Sequence, residues 1–296
     1  MALDASSFKK RSLSAVVFVV VMIAGFINPF TFLVLFSVIH FGCWIEYQKL
    51  LDRIHPAYQQ INFFHRYGIM IAGWAGMLGL AAPDYNLGPV GLPVITGSVV
   101  LLFLVIAAAV DIVRKKTPAL QMAGLSLAGL LYISFPLGAL AFLRNLANHH
   151  DPAGHPWPAY GLVLPLIILL CMWVNDTMAY IVGSFIGKTP FSKISPKKTW
   201  EGTIGGVILC IVVMGGLAGS VMPAGYWVTP TNWYVIVGIA AVAGTLGDLL
   251  ESKVKRLAGV KDSGAIMPGH GGFLDRFDSL LVAAPAVWLY VILALS

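Results

Sequence analysis

The chain has 296 residues, of which 58% are hydrophobic and 11% are charged, whereas soluble globular domains carry roughly 25% charged residues. This composition leaves too little polar surface to cover a soluble fold, so it excludes a water-soluble class of protein. The net charge of +6 is typical of proteins that bind either nucleic acid or an anionic membrane surface. Because the charges cluster between long apolar stretches, they favour the membrane, and no nucleic acid partner is expected.

Apolar stretches of about 20 residues, the length that crosses about 30 Å of hydrocarbon, recur along the chain. They predict an all-α, polytopic integral membrane protein with about nine transmembrane helices. The predicted spans are residues 12–27, 29–47, 67–84, 89–111, 119–143, 159–182, 203–222, 233–250 and 279–296. A tight turn at Asn28-Pro29 leaves open that the first two stretches form a hairpin that does not fully cross.

The basic residues predict the orientation of these spans. With the N-terminus in the cytoplasm, all the lysines and arginines except Arg144 fall on the inner side, as the excess of basic residues in short cytoplasmic loops requires. We therefore expect the protein in the bacterial cytoplasmic membrane, with its N-terminus and its active site facing the cytoplasm.

Polarity divides the chain into two regions. Residues 1–157 are predicted to form the N-terminal helices, about five spans with few polar positions. In residues 158–296 the inner loops become dense in Lys, Asp, Gly, Ser and His, and we expect the chemistry there. The three cysteines lie in or beside apolar runs and are interpreted as packing residues.

The densest polar segment extends from Gly247 to Asp278. Asp248 is predicted near the inner boundary of the hydrocarbon, where an acidic side chain is costly and therefore a functional candidate. The helical spacing i, i+4, i+7/8 places Asp248, Ser252 and either Lys255 or Arg256 on one face. This face would carry an acid, a hydroxyl group and a base.

Two further acids, Asp275 and Asp278, precede the last span at the same predicted level. Two or three converging carboxylates would bind a hard divalent cation, and Mg²⁺ prefers a few carboxylates together with phosphate oxygens. The predicted metal ligands are Asp248, Asp275 and Asp278.

Glycines and bases surround these acids. Glycines leave backbone N–H groups accessible to phosphate oxygens, and the bases would neutralise a polyphosphate. The residues concerned are Lys255, Arg256, Lys261, Gly264, His270, Gly271, Gly272 and Arg276. An alternative interpretation is that the bases only mark the cytoplasmic side, that the aspartates neutralise them, and that His270 braces the loop.

A second polar cluster begins inside the sixth predicted span. Asp176 is predicted at the same inner level as Asp248 and is either functional or a hydrogen-bonded packing residue. Lys197 and Lys198 would hold phosphates. Gly183 and Gly187 form a small-xxx-small pair, which favours close helix packing.

The sequence lacks the motifs of several other enzyme classes. It has no GxxxxGK[ST] phosphate loop, no GxSxG nucleophile elbow and no HExxH metal-binding pair. By contrast, Ser252 to Asp278 read S-x-x-K-R-x4-K-D-x-G-x3-P-x-H-G-G-x-x-D-R-x-D. This run closely resembles the signature of the phosphatidate cytidylyltransferases, also called CDP-diacylglycerol synthases. The resemblance extends to Gly247-Asp248 and to residues 195–202. One departure is Met267, which stands before the proline of the signature, where that family usually has Ile, Leu or Phe.

The resemblance implies a nucleotidyltransferase of phospholipid biosynthesis that condenses CTP with phosphatidic acid to CDP-diacylglycerol and pyrophosphate, with Mg²⁺ as cofactor and a homodimer as a possible assembly. The expected catalytic residues are Asp248, Lys261, Asp262, Asp275 and Arg276. The expected substrate-binding residues are Asp176, Lys197, Lys198, Ser252, Lys255, Arg256, Gly264, His270, Gly271 and Gly272.

Two other classes of function stay open at this point. Another CTP-dependent membrane lipid enzyme, a CDP-archaeol-type synthase or a polyprenol kinase, would share much of this chemistry. An ion or anion transporter would use Asp176 and Asp248 to line a pathway, although transporters often have corresponding broken helices in both halves. Mg²⁺-dependent turnover of CTP distinguishes the enzymes from the transporter.

Overall fold

A computed structural model describes residues 5–114, 118–146, 158–192, 194–221, 228–265 and 271–295, with side chains from residue 16 onward except at residues 158–160. The helices are α1 (Ala5–Phe26), α2 (Pro29–Ile54), α3 (Phe63–Ala81), α4 (Leu92–Arg114), α5 (Ala119–Gly129), α6 (Phe135–Asn145), α7 (Pro158–Ile186), α8 (Trp200–Cys210), α9 (Gly216–Val221), α10 (Pro230–Leu257) and α11 (Leu274–Ala294). Strands β1 (Asn86–Leu87) and β2 (Val90–Gly91) pair antiparallel in a short hairpin between α3 and α4. A 3₁₀ turn (Pro56–Gln60) follows α2, and π-helical turns join α5 to α6 (Leu130–Ser134) and α8 to α9 (Ile211–Gly215).

In the described ranges, 7 helical segments are long and apolar enough to cross a membrane. They are Pro29–Ile54, Leu92–Arg114, Ala119–Asn145, Gly161–Ile186, Trp200–Val221, Pro230–Leu257 and Leu274–Ala294. The predicted class, an all-α polytopic membrane protein, is confirmed. Helices α1 and α3 occupy the first and third predicted spans but are not among these segments, so the count of nine and the orientation of the N-terminus stay predictions.

The turn between α1 and α2 follows from local sequence. The Asn28 side chain accepts a hydrogen bond from the backbone N–H of Thr31 (2.9 Å), and the Thr31 hydroxyl accepts one from the N–H of Asn28 (3.3 Å). This reciprocal capping box satisfies two N–H groups that would otherwise lack partners at the start of the helix. Pro29 then occupies the first helical position, where its missing N–H is not needed.

Contacts between residues divide the chain into two compact units. The first unit is Met1–Ala141 with Val254–Phe277, and the second unit is Phe142–Lys253 with Asp278–Ser296. The division of the sequence into residues 1–157 and 158–296 concerns where polar motifs lie along the chain, and it stays a prediction.

A buried polar chain links three helices of the first unit. The Nδ1 atom of His65 on α3 lies 2.6 Å from a carboxylate oxygen of Asp111 on α4, and its Nε2 atom lies 2.9 Å from the Ser126 hydroxyl on α5. All three side chains are buried, so the hydrogen bonds compensate the loss of water. Only 6% of the apolar stretch of α4 is buried inside the protein. Most of that helix is therefore free to face lipid.

In the second unit, α7 and α8 pack closely over small residues. A Cβ atom on Gly206 would lie 2.7 Å from the Cβ of Ala179, and one on Gly183 would lie 3.2 Å from the Thr199 hydroxyl oxygen. The predicted packing role of Gly183 is thereby confirmed. The three cysteines, Cys43, Cys171 and Cys210, are buried thiols, as their interpretation as packing residues requires.

Candidate active site

In the second unit, the ammonium group of Lys198 forms an ion pair with the carboxylate of Asp248. The two side chains are 32% and 23% exposed, so the pair is partly desolvated and still reachable from outside the protein. The structure therefore joins a predicted phosphate-binding lysine to a predicted metal-binding aspartate.

The segment that carries Lys198 is shaped by local hydrogen bonds. Thr199 caps α8 by accepting the N–H of Gly202 (3.2 Å), a usual role for threonine at a helix start. The N–H of Phe191 donates to the carbonyl of Lys198 (2.8 Å), and Pro190 and Thr199 form an antiparallel bridge. Glu201 accepts the N–H of Thr189 (3.1 Å). These contacts fix the backbone on both sides of Lys198.

Helix α10 presents Asp248 beside two other polar segments of the second unit. The side-chain amide of Asn175 on α7 donates to the Thr245 hydroxyl on α10 (3.2 Å), so Asp176 and Asp248 lie on neighbouring helices at a similar level, as predicted. A Cβ atom on Gly247 would lie 2.5 Å from the backbone oxygen of Asp278. Glycine thus allows the start of the last helix to approach the backbone next to Asp248.

Helix α10 ends in a motif that positions two bases. The N–H of Val260 donates to the carbonyl of Lys255 (3.0 Å), and the N–H of Gly259 donates to that of Arg256 (3.1 Å). Gly259 has φ +69°, so this is a Schellman motif with glycine in the left-handed conformation. Lys255 and Arg256 consequently occupy the last turn, where the helix dipole favours cations.

In the first unit, Lys255 forms an ion pair with Asp275 at 2.6 Å, and the two side chains are only 12% and 6% exposed. The second oxygen of Asp275 accepts the N–H groups of Ser263 (2.9 Å) and Gly272 (2.8 Å) and lies 2.9 Å from the Ser263 hydroxyl. Gly271 has φ +79°, and a Cβ atom there would lie 2.6 Å from the Asp275 carboxylate. Ser263, Gly271 and Gly272 therefore lie close around the Asp275 carboxylate.

Sequence reasoning missed Glu46, a side chain of α2 that is 5% exposed. Its carboxylate accepts the N–H groups of Phe273 (2.9 Å) and Leu274 (2.9 Å) and the hydroxyl of Ser263 (2.7 Å). The sequence does contain a signal for it, since Glu46 is the single acidic residue of the second predicted apolar span. An acidic residue in such a span is a functional candidate by default.

The other predicted site residues range from buried to exposed, and one lies outside the described residues. Ser252 is partly buried on α10. His270 lies outside the described residues. The exposed side chains are Asp176, Lys197, Arg256, Lys261, Asp262 and Arg276. Gly264 and Gly272 lie against Glu46, and the N–H of Gly272 is used by Asp275, so their role in holding phosphate stays a prediction.

Within the described ranges, no group of three or more His, Cys, Asp or Glu side chains could hold a metal ion. The predicted ligands are nevertheless of the chemical kind that Mg²⁺ takes, since they offer carboxylate oxygens. Asp248 is the most accessible of the three, since both oxygens of Asp275 accept hydrogen bonds from protein groups and Asp278 is buried.

The fold and the polar segments define an all-α integral membrane protein with paired aspartates and lysines. The sequence model of the cytidylyltransferase family matches residues 9–294, nearly the whole chain. The chain therefore belongs to the cytidylyltransferase family.

Curated relatives bear more specific names. A phosphatidate cytidylyltransferase of Synechocystis sp. is 36% identical over 68% of this chain and 70% of that protein. The enzyme of that name from Haemophilus influenzae is 39% identical over 58% of this chain and 57% of its own length. A chloroplastic one from Arabidopsis thaliana is 34% identical over 61% of this chain and 48% of its own length. The chain thus matches between about half and 70% of each relative.

Proposed function

We propose that the chain carries out the reaction for which these relatives are named. It is a nucleotidyltransferase that condenses CTP with phosphatidic acid to give CDP-diacylglycerol and pyrophosphate. The observation that carries this proposal is the family match over residues 9–294, which includes the whole signature from Ser252 to Asp278.

The chemistry explains why the site is rich in cations. An oxygen of the lipid phosphate attacks the α-phosphorus of CTP, a new P–O bond forms, and the bond to the β-phosphate breaks so that pyrophosphate leaves. The attacking phosphate is already ionised near neutral pH, so no general base is needed. Both reactants are anions, and catalysis rests on charge neutralisation and in-line positioning.

We propose that exposed cations of the signature segment and of the loop before α8 bind these anions. Arg256 lies in the last turn of α10, Lys261 in the following loop and Arg276 in the first turn of α11, and all three are exposed. Lys197 is exposed beside Lys198. We assign these side chains to the triphosphate and to the negative charge that develops on pyrophosphate, with Asp262 orienting a neighbouring base.

Mg²⁺ is proposed as the cofactor. Asp248, Asp275 and Asp278 are its candidate ligands, each to be tested singly. When bound, the ion would neutralise triphosphate oxygens and act as a Lewis acid. The donor set supports this assignment because it consists of carboxylates, and Asp248 is 23% exposed while held by a lysine. That lysine is a cation that a metal ion could displace.

We further propose nine spans, a cytoplasmic N-terminus and a site on the cytoplasmic face. The support is the bias of basic residues toward one side and the cytosolic location of CTP.

Two exposed positions allow the orientation to be tested by cysteine labelling. Lys253 is exposed on α10, and Tyr85 is 59% exposed before β1. An impermeant maleimide added to intact cells should label Tyr85→Cys, on the outer side, and spare Lys253→Cys, on the cytoplasmic side. The native thiols should add little background labelling because they are buried. Labelling of Lys253→Cys from outside would overturn this orientation.

The reaction itself is tested with CTP labelled on either the α- or the γ-phosphate. With phosphatidic acid, the α-label should enter the lipid phase and the γ-label should appear in pyrophosphate. Transfer of γ-label to a polyprenol would instead establish a kinase, and use of an archaeol phosphate acceptor would establish the CDP-archaeol-type enzyme. If no acceptor supports turnover, the transporter becomes the leading alternative.

A homodimer remains a proposal from the family resemblance. The molar mass of the protein in detergent, measured by light scattering, tests it.

A further inference from the structure

Glu46 is a buried carboxylate whose partners all belong to the signature segment. It lies on α2, 217 residues before Ser263 and 228 residues before Leu274 in the sequence. One oxygen accepts the N–H of Phe273, and the other accepts the N–H of Leu274 and the Ser263 hydroxyl. Three donors compensate the loss of hydration that a buried carboxylate suffers.

The backbone around Glu46 leaves room for its carboxylate and for little else. A Cβ atom on Gly264 would lie 2.1 Å from a Glu46 oxygen, and one on Gly272 would lie 2.3 Å from both oxygens. One helical turn before Glu46, a Cβ atom on Gly42 would lie 2.1 Å from the Phe273 ring. Gly264, Gly272 and Phe273 are therefore closely packed against this face of α2.

Glu46 also reaches Asp275 through one hydroxyl group. The Ser263 oxygen lies 2.7 Å from Glu46 and 2.9 Å from Asp275. A serine hydroxyl has a single hydrogen, so its position is shared between the two carboxylates. A change at Glu46 is thereby transmitted to Asp275.

We propose that Glu46 is a positioning residue for the cytidylyl transfer reaction. It holds the first N–H groups of α11, where the helix dipole favours a carboxylate, and so sets the direction in which Asp275 and Arg276 emerge. This inference rests on the proposed function. It assigns a role in the active site to a helix of the N-terminal region, where the sequence has few polar positions.

The test compares Glu46→Gln with Gln48→Leu. Gln48 is a matched control because it lies on the same helix, is 4% exposed and donates to the carbonyl of Arg66. Glutamine at position 46 keeps the shape but directs an NH₂ group at a backbone N–H. We expect kcat to fall about 100-fold, the loss associated with misplacing a catalytic group by about 1 Å. The KM for CTP should change less than kcat, and Gln48→Leu should keep its kcat.

A cycle of variants keeps the proposal testable if Glu46→Gln folds poorly. Gly272→Ala should lower both activity and thermal stability, because the new methyl group meets the Glu46 oxygens. Combined with Glu46→Ala, it should cause almost no additional loss. Full additivity would overturn the proposed coupling.

Two results at Glu46 itself would also overturn the proposal: a kcat of the folded Glu46→Gln protein within about threefold of the parent, or losses in kcat and stability that match those of Gln48→Leu. Failure of the proposed function is a separate result, because the unsubstituted protein would then form no CDP-diacylglycerol.

Discussion

Lys198 and Asp248 are 50 residues apart in sequence, yet their side chains form an ion pair. Lys198 lies near the end of the loop before α8, and Asp248 lies within α10, which also carries the first residues of the signature. Within the second unit, the pair joins the loop before α8 to α10. The cation holds a carboxylate that would otherwise repel a triphosphate.

Removal of the Lys198 charge should affect catalysis more than folding. In Lys198→Met the Asp248 carboxylate loses its counter-ion, and we expect kcat to fall about 100-fold, the effect of deleting one electrostatic stabiliser. Lys198→Arg should retain part of the activity because it keeps the charge. Lys188→Met is the control, since Lys188 is an exposed lysine of the same loop. Equal activity of the Lys198→Met and Lys188→Met proteins would remove the pair from the mechanism.

Asp248→Asn and Asp275→Asn should each abolish turnover while the protein remains inserted and folded. Asp275→Asn should also lower the thermal unfolding temperature, because it breaks the buried pair with Lys255. The amide has nearly the same shape but lacks the charge that Mg²⁺ or a lysine requires. Activity is measured as CDP-diacylglycerol formed, and folding as a single peak on size-exclusion chromatography. Asp84→Asn, in the turn before β1, provides the control. Near-normal activity in either variant would exclude that aspartate from the metal site.

The buried pair of Lys255 and Asp275 should matter for stability as well. Lys255→Met leaves a carboxylate that is 6% exposed without its cation, a change that costs about 3–5 kcal/mol in comparable buried pairs. We expect a clear drop in the thermal unfolding temperature in detergent. Lys253→Met, at an exposed position of the same helix, should leave that temperature unchanged. An unchanged temperature for Lys255→Met would contradict the stabilising role of the pair.

Two glycines with positive φ allow a controlled comparison. A Cβ atom on Gly259 (φ +69°) would meet nothing within 4 Å, whereas one on Gly271 (φ +79°) would meet Asp275 at 2.6 Å. Alanine at either position should cost about 1–2 kcal/mol of backbone strain. Only Gly271→Ala should also lower kcat, because it displaces Asp275. A similar loss of kcat in both variants would show that strain alone is responsible.

Chelation tests the cofactor separately from the residues. EDTA should stop CDP-diacylglycerol formation, and added Mg²⁺ should restore it. Sustained turnover in excess EDTA would contradict the proposal of a divalent cation, although it would leave the family assignment intact.

The helices and the content of the site could be predicted because both depend on local patterns. Asp248 and Ser252 were predicted to share a helical face from their spacing alone, and α10 includes both. The similar level of Asp176 and Asp248 followed from counting residues along two spans, and the hydrogen bond between Asn175 and Thr245 agrees with it.

The role of Glu46 could not be predicted in this way. Its partners are more than 200 residues away, and no spacing rule relates an acid on α2 to the N–H groups of α11. The same contact changes the interpretation of Gly264 and Gly272. From sequence they resemble a phosphate cradle, whereas in the structure the Glu46 carboxylate lies against them. Long-range contacts of this kind depend on how the helices pack.

The most direct measurement is product analysis with the purified protein in vesicles that contain phosphatidic acid, supplied with CTP and Mg²⁺. We expect one CDP-diacylglycerol for each pyrophosphate released, and neither product from the Asp248→Asn protein. Release of pyrophosphate without CDP-diacylglycerol, or no turnover by the folded, unsubstituted protein, would contradict this expectation.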